Sequence, residues 1–207
     1  MKSFKKYGVP LAMACLFAGG GFFLVQNFLH RSSALQGPVR QLNSLDQIHL
    51  RDSQGRSVEM SRFNGQPRIL YMGYSHCPDM CPLALSNLSR AMQKDPELQT
   101  RIQTIFISVD PERDSPERLA EYEKQFAPLR LRALGGEEEQ IQLLATDLGA
   151  SYQKVAAGPV SSVGKYGMNH SLFFYFIDSD NQLVATLPSG ISPDAILEAS
   201  ISSFPDL

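Results

Sequence analysis

The stretch that decides the fold is "RILYMGYSHCPDMCPLALSNLSRAM", residues 68–92. It begins with seven mostly apolar residues, 68–74, whose aromatic and branched side chains predict a buried strand. Four apolar side chains then recur at helical spacing, namely Cys81, Leu85, Leu88 and Met92. This spacing predicts an amphipathic helix with Cys81 in its first turn. The intervening turn carries Cys77, so both cysteines would lie at the carboxyl end of a sheet strand, where α/β folds bind their ligands.

The rest of the chain continues the alternation of strands and helices. Towards the N-terminus, "IHLRDSQGRSVEMSRF" at 48–63 indicates a hairpin with residues 53–55 as its turn. Towards the C-terminus the predicted elements are a buried strand at 102–110, a helix capped by Ser115 and Pro116, a short strand, a helix that stops at Gly149, a hairpin around 179–181 and a last helix from Ser192 to near Phe204. This order predicts an α/β fold with a mixed central sheet covered by helices on both faces.

The N-terminal part of the chain differs from the rest. Tyr7–Leu29 is a run of 23 residues without a charged side chain. As a helix it would span about 34 Å, enough for a hydrocarbon core of about 30 Å. Three lysines precede it, so the positive-inside rule places the N-terminus in the cytoplasm and the remainder across the membrane. The apolar run passes Cys15 without a clean cleavage site, so we expect a retained anchor rather than a cleaved signal peptide.

We therefore predict a transmembrane anchor at 1–30, a tether at 31–43 and one folded domain at 44–207. The expected location is the inner membrane, with a single pass and the domain in the periplasm. Setting aside the four basic residues up to Arg31 leaves 15 of the 19 basic residues against 21 acidic ones, a net charge near −6. This charge argues against nucleic acid and against broad binding to anionic lipid, because both select for basic surfaces.

The two cysteines of the turn are better suited to a chemical role, as a redox pair or as metal ligands, than to a structural disulfide. A disulfide across so short a loop contributes little stability, because longer loops contribute more in the chain-entropy account. A thiol at the start of a helix meets unpaired N–H groups, which stabilise the thiolate and lower its pKa. The spacing of four residues leaves open a redox pair or two thiolate ligands for one soft metal ion, with copper(I) favoured by sulfur.

A histidine is a candidate third ligand, since imidazole also suits copper. His170 lies in "GKYGMNHSLFFYF", residues 164–176, which we interpret as a glycine-bearing loop at the mouth of a buried strand. If that strand lies beside residues 68–74, His170 shares a sheet edge with the cysteines; otherwise it is a capping or surface histidine. We expect ordinary surface positions for His30 and His49, and we expect the His76 side chain to point away from that of its neighbour Cys77.

Three motifs give the sequence a family resemblance: "GYSHCPDMCP" at 73–82, "ISVDPERDSPE" at 107–117 and "YGMNHSLFFYFID" at 166–178. In this order and at these distances they resemble the Sco/SenC family of copper-binding cytochrome c oxidase assembly factors, over roughly residues 46–204. The resemblance implies a thioredoxin-like fold with an added N-terminal β-hairpin. It also implies that the copper ligands are Cys77, Cys81 and His170.

The resemblance implies a partner, subunit II of cytochrome c oxidase or a similar copper protein, and leaves two functions open. The first is a metallochaperone that delivers copper(I) or copper(II) to the partner, which would not be an enzyme. The second is a thiol-disulfide oxidoreductase whose redox pair, Cys77 and Cys81, keeps the partner's copper-site cysteines reduced. Other copper chaperones and thiol reductants are further candidate partners, and zinc is a less favoured occupant of the site.

Residues beside the motifs carry weaker signals. Asn169 stands where family members commonly carry an aspartate, so we expect a shift in copper affinity or redox behaviour. Met80 and Met168 are soft side chains, but a methionine beside an apolar element more often packs in the core. The charged side chains of residues 110–114 are expected either to support the site or a partner, or to be solvated charges of a strand-to-helix loop.

Overall fold

The structure, a computed structural model, describes residues 39–156, 166–205 and 207. The predicted anchor, Cys15, His30 and most of the predicted tether lie outside the described residues. No helix in the described part of the chain is long and apolar enough to cross a membrane. The transmembrane segment therefore stays a prediction from the sequence.

A mixed sheet of eight strands forms the centre of the described domain, and two further strands form a separate ribbon. The ten strands are β1 (Arg40–Gln41), β2 (His49–Asp52), β3 (Ser57–Glu59), β4 (Arg68–Gly73), β5 (Gln103–Ser108), β6 (Arg132–Gly135), β7 (Tyr152–Ala156), β8 (Tyr166–His170), β9 (Phe173–Ile177) and β10 (Gln182–Pro188). The sheet has the order β1-β10-β9-β4-β5-β6-β2-β3, and β7 pairs with β8 in the ribbon. The neighbours β4, β5 and β6 are parallel, whereas the other pairings among the described strands are antiparallel. The predicted α/β class with a mixed central sheet is confirmed.

Five α-helices among the described residues flank this sheet. They are α1 (Met80–Lys94), α2 (Pro96–Arg101), α3 (Pro116–Gln125), α4 (Glu138–Leu148) and α5 (Pro193–Ser203). As predicted, Ser115 and Ser192 each accept a backbone N–H from the first turn of α3 and α5, and a proline follows each cap. Gly149 ends α4 with a φ of 68°, a conformation that suits glycine.

The strand before the cysteine turn and the inner face of the helix after it are buried. All six residues of β4 are buried, as the continuous apolar run predicted, because β5 and β9 cover both of its edges. The four predicted core residues of α1 are fully buried, namely Cys81, Leu85, Leu88 and Met92. The turn between β4 and α1 therefore starts and ends on fixed elements.

Three segments differ from the sequence-based predictions. β1 pairs with β10 and Leu42 is buried, so the folded part begins before residue 44 and the predicted tether 31–43 ends earlier than expected. The short helix α2 was not predicted, because six residues show no clear periodicity. The predicted loop before the last hairpin is largely the strand β8, whose glycine and polar residues hide the alternation of a strand.

Candidate metal centre

Short-range hydrogen bonds hold the turn that joins β4 to α1. The Cys77 amide donates to the Tyr74 carbonyl oxygen (3.1 Å) and closes the turn. The Cys81 amide, in the first turn of α1, donates to the Cys77 sulfur (3.4 Å). This sulfur therefore accepts one of the N–H groups that a helix start leaves without an intrahelical partner, as the sequence predicted. Both cysteines are free thiols.

Cys81 packs directly against the end of β4. Its side chain is fully buried, and the Tyr71 hydroxyl lies 3.9 Å from its sulfur. A Cβ atom added at Gly73 would lie 2.8 Å from the same sulfur and 3.0 Å from the Phe106 ring. Gly73 therefore allows the close approach of helix and strand that positions the Cys81 sulfur.

His170 reaches the same edge of the sheet at the end of β8. After two intervening residues β9 begins, and it pairs antiparallel with β4, with Phe174 opposite Tyr71. In an antiparallel pair the start of one strand lies beside the end of the other, so His170 enters beside the cysteine turn. The sequence left this placement conditional on the two strands being neighbours, and the structure satisfies the condition.

The three predicted ligands converge. The His170 Nε2 atom lies 3.4 Å from the Cys81 sulfur, and the ligand atoms of Cys77, Cys81 and His170 all lie within 4.8 Å of one another. The His170 Nδ1 atom lies 3.0 Å from the Ser171 carbonyl oxygen. Because a carbonyl oxygen only accepts, Nδ1 carries the proton and Nε2 presents its lone pair towards the sulfurs. A metal-binding histidine needs this arrangement.

Two tyrosines that the sequence analysis did not single out enclose the His170 ring. Tyr71 and Tyr74 stand edge-on to it, with centroids 6.1 and 5.9 Å away and interplanar angles of 80° and 87°. Both are buried, and burial raises the pKa of each, so both hydroxyl groups stay protonated near neutral pH. The walls of the site are therefore aromatic and uncharged.

The two thiols have opposite electrostatic surroundings. The hydrogen bond from Cys81 holds the pKa of the Cys77 thiol well below its usual range, although burial opposes this. The hydrogen bond to Cys77 and burial together raise the pKa of the Cys81 thiol. Cys77 is half-buried, whereas Cys81 is fully buried. Without a metal, the pair therefore presents one accessible thiolate and one buried thiol.

The other histidines and the methionines considered as ligands, among the described residues, do not join Cys77, Cys81 and His170. His49 is exposed on β2, as expected for a surface histidine. His76 is also exposed, and its Nδ1 atom lies 3.4 Å from an Asp114 carboxylate oxygen. Met168 is half-buried and packs against the core, as expected, and Met80 is half-buried at the start of α1.

The charged loop between β5 and α3 belongs to the surroundings of the site. Asp110 and Asp114 are only 2% and 5% exposed, so the alternative of solvated loop charges is wrong for these two. Asp114 accepts hydrogen bonds from Ser75, two residues before Cys77, and Asp110 accepts one from the Tyr166 hydroxyl at the start of β8. The sequence analysis missed Ser75 and Tyr166, because these partners are 39 and 56 residues apart in the chain.

Comparisons with known proteins show which family the chain belongs to. A family model described as SCO1/SenC matches residues 40–203. The chain belongs to the SCO1/SenC family. Among curated relatives, the mitochondrial SCO2 homolog of Danio rerio is 32% identical over 190 residues, which are 86% of this chain and 66% of that protein. The SCO2-like protein of Rickettsia typhi is 31% identical over 151 residues, 73% of each chain.

Solved structures of Sco proteins share the fold. The crystal structure of Arabidopsis thaliana ScoI with copper bound matches with a TM-score of 0.66 at 29% identity, covering 75% of this chain and 94% of that one. Bradyrhizobium japonicum ScoI with copper bound matches with a TM-score of 0.62 at 31% identity, covering 75% and 96%. These matches confirm the thioredoxin-like α/β fold that the resemblance implied. The matched part of this chain spans 66% of the length of the Danio rerio relative.

Proposed function

We propose that this protein is a copper metallochaperone for the copper centre of respiratory cytochrome c oxidase. The observation that carries the proposal is the convergence of two cysteine sulfurs and one imidazole nitrogen within 4.8 Å, although Cys81 and His170 are 89 positions apart in the chain. Thiolate sulfur favours copper(I), and imidazole also suits copper. Two sulfurs, an imidazole and a water would also suit zinc, but the copper-bound structures of two Sco proteins support copper.

The three ligands contribute differently to binding and release. Cys81 is fully buried and holds the metal from inside, while His170 is fixed in the tautomer that binds through Nε2. Cys77 is half-buried and carries the thiolate that solvent and a partner can reach. Copper is handed over by ligand exchange, in which a partner sulfur or imidazole replaces Cys77 first and the buried Cys81 last.

The partner in this exchange is subunit II of cytochrome c oxidase or a similar copper protein. A direct test mixes the copper(I)-loaded, full-length protein with the copper-free soluble domain of such a partner and measures copper in each after separation. We expect the partner to take up copper from the wild type. Retention of all copper on the loaded protein, with a partner that accepts free copper(I) readily, contradicts delivery.

A thiol-disulfide oxidoreductase is the second candidate, and the unequal thiols favour it. The Cys77 thiolate attacks a partner disulfide, forms a mixed disulfide and releases one partner thiolate. Cys81 then loses its proton and attacks the Cys77 sulfur, which forms the Cys77–Cys81 disulfide and releases the second partner thiolate. Two electrons pass to the partner. In this function a Cys81→Ser variant traps the mixed disulfide on non-reducing gels, and absence of any trapped oxidised partner counts against it.

The proposal includes a location: a single-pass anchor in the inner membrane with the domain in the periplasm. It is supported by the uncharged run Tyr7–Leu29 and the lysines before it. Alkaline phosphatase fused after Leu207 folds only after export, so we expect an active, membrane-bound fusion. An inactive fusion in the cytoplasm, or an active one released into the soluble periplasmic fraction, contradicts a retained anchor with this orientation.

A further inference from the structure

A buried carboxylate ties the cysteine turn to the end of β5. Asp114 accepts the Ser75 amide N–H (2.9 Å) and the hydroxyl groups of Ser75 and Ser108 (2.6 Å each). Ser75 comes two residues before Cys77, and Arg118 donates to its hydroxyl and carbonyl oxygens at 2.9 and 3.2 Å. We call Asp114, Ser75 and Ser108 the Asp114 cluster. It fixes the backbone that leads into the two cysteines.

The same loop holds β8 through a second buried carboxylate. Asp110 accepts the Tyr166 hydroxyl (2.7 Å) and forms an ion pair with Arg113. Arg113 also donates to the Tyr166 carbonyl oxygen (3.0 Å), and its guanidinium lies 3.8 Å from the centre of the Tyr166 ring. We call Asp110, Arg113 and Tyr166 the Asp110 cluster. One loop therefore engages the hydroxyl, the carbonyl and the ring of a single residue of β8.

Tyr166 and His170 are the first and last residues of β8. Side chains alternate along a strand, so residues four apart share a face and lie about 13 Å apart along the strand. Met168, between them, packs against the core, so this face is turned towards the domain. Among the described strands β8 pairs only with β7, and a two-stranded ribbon is marginally stable by itself. The orientation in which β8 presents His170 therefore depends on contacts such as the Asp110 cluster.

We propose that the loop at residues 109–115 positions the two halves of the metal centre separately. The Asp114 cluster sets the cysteine turn, and the Asp110 cluster sets His170 through β8. Tyr166, Asp110 and Asp114 are positioning residues, since they act through the segments that carry the ligands. This inference rests on the proposed copper binding, which needs all three ligands, whereas dithiol chemistry needs only the cysteines. Copper binding therefore depends on both clusters, and dithiol chemistry depends on the Asp114 cluster alone.

The variant Tyr166→Phe tests the Asp110 cluster, because it removes the hydroxyl that Asp110 accepts and keeps the ring. We expect the copper(I) affinity of the reduced, full-length protein to fall by about 10-fold or more, since residues that orient a metal ligand contribute about 10–100-fold. The equilibrium constant of the dithiol with glutathione stays within about twofold of the wild type. In the metal-free protein, nitrogen NMR of the His170 ring changes from one tautomer to a mixture.

A matched control is Tyr122→Phe. The Tyr122 hydroxyl is buried and has no hydrogen-bond partner among the described residues, so the same chemical change removes no hydrogen bond. We expect wild-type copper affinity, glutathione equilibrium and histidine tautomer in this variant.

The Asp114 cluster is tested with Asp114→Asn and with Ser75→Ala, the milder change of the two. Loss of one hydrogen bond in the cluster is worth about fivefold in an equilibrium constant. We expect copper affinity and the glutathione equilibrium to shift together by about that factor. If Asp114→Asn does not fold, Ser75→Ala decides the point.

The outcomes separate this inference from the proposed function. If Tyr166→Phe keeps the wild-type copper affinity and a single His170 tautomer, the positioning role of the Asp110 cluster is wrong. The proposed copper binding is not affected by this result. Equal shifts of copper affinity and glutathione equilibrium in Tyr166→Phe overturn the separation of the two halves. If the wild type itself does not bind copper, the proposed function fails, and the His170 tautomer in the metal-free protein still decides whether the Asp110 cluster positions the ring.

Discussion

The two regions that carry the ligands are held in different ways. The cysteine turn is continuous with a fully buried strand and a long helix, and hydrogen bonds within five residues shape it around Cys77. The strand that carries His170 belongs to a two-stranded ribbon, and its polar contacts with the domain reach residues 56 and 89 positions away in the chain. The cysteine turn is therefore shaped by local hydrogen bonds and anchored by the Asp114 cluster, whereas the strand that carries His170 is positioned by tertiary contacts alone.

This difference links the two candidate functions to different parts of the molecule. Dithiol exchange uses Cys77 and Cys81 alone, so it needs only the cysteine turn and the Asp114 cluster that holds this turn. Copper binding through three ligands also requires the strand that carries His170. Substitutions in the turn should therefore affect both chemistries, and substitutions in the strand should affect copper alone.

The largest effect is expected from Cys81→Ser, which removes a residue that both copper binding and dithiol exchange need. Copper(I) affinity should fall by more than the roughly 100-fold that marks the upper range for residues that only orient a ligand. The intramolecular disulfide should be lost as well. Copper titration and thiol counting after mild oxidation measure the two effects.

The matched control is Cys15→Ser, which removes the third cysteine of the chain, outside the cysteine turn. It should retain both properties. A Cys81→Ser protein that keeps copper affinity within tenfold of the wild type contradicts the assignment of Cys81 as a ligand.

The next effect is the pH dependence of Cys77 reactivity. It tests whether the Cys77 thiolate depends on the strand that carries His170. The pKa of Cys77 is depressed, so the folded protein holds a thiolate where a free cysteine, with a pKa of about 8.5, is a thiol. Alkylation of Cys77 by iodoacetamide should be nearly constant from pH 8 down to pH 6, whereas an ordinary thiol slows about tenfold per pH unit. Cys81, whose pKa is raised by the hydrogen bond to Cys77 and by burial, should not react.

The same profile in His170→Ala sharpens the comparison. The hydrogen bond from Cys81 is the largest cause of the depressed Cys77 pKa, and it lies within the cysteine turn. The profile should therefore stay nearly flat in the variant. A steep fall in the rate below pH 8, measured by mass spectrometry of the labelled peptide, would show that the turn depends on the strand after all.

A smaller effect is expected from Gly73→Ala, which displaces the Cys81 sulfur without substituting any of the three ligands. The new Cβ atom would lie 2.8 Å from this sulfur, so helix and strand must separate. We expect the free energy of unfolding to fall by about 1–3 kcal/mol, as for overpacked cores, and copper affinity to fall about 10-fold.

Gly190→Ala is the matched control for this change, because no atom lies within 4 Å of its added Cβ. Denaturant unfolding and copper titration should give wild-type values for Gly190→Ala. Equal stability and equal copper affinity in both alanine variants contradict a close approach at Gly73.

The smallest effect is expected from Asn169→Asp, which restores the residue that family members commonly carry. Asn169 is exposed, and alternation along β8 places it on the face opposite His170. Surface substitutions of this kind stay within about 0.5 kcal/mol, so copper affinity should change about twofold at most, which revises the larger shift expected from the sequence. A tenfold change in the copper titration would mean that this side chain acts on the site.

The sequence predicted the strand, turn and helix that carry the cysteines well, because their sequence signals are periodic and contiguous. The apolar run of residues 68–74 and the helical spacing from Cys81 onward need no partner elsewhere to be recognised. The strand β8 was mistaken for a loop, since glycine and asparagine are disfavoured in strands and its pairing partner β7 lies in a separate stretch of the chain.

The same limit applies to the site. From the residues alone, His170 was only a conditional ligand, because its approach depends on the pairing of β9 with β4. The Asp110 and Asp114 clusters were not predicted in detail, since buried carboxylates find partners that no spacing along the chain reveals. The resemblance to a family supplied the ligand set, and the register of the sheet explains why it converges.

The central claim is that two cysteines and one distant histidine form a single copper site. Its most direct test titrates copper(I) into the reduced, full-length protein against a competing chelator, comparing the wild type, His170→Ala and the exposed-histidine control His49→Ala. We predict one equivalent bound by the wild type and by His49→Ala, with an affinity more than about 100-fold weaker in His170→Ala, beyond the range for residues that only orient a ligand. Equal affinity in all three proteins would contradict the account and leave a dithiol as the chemistry of the site.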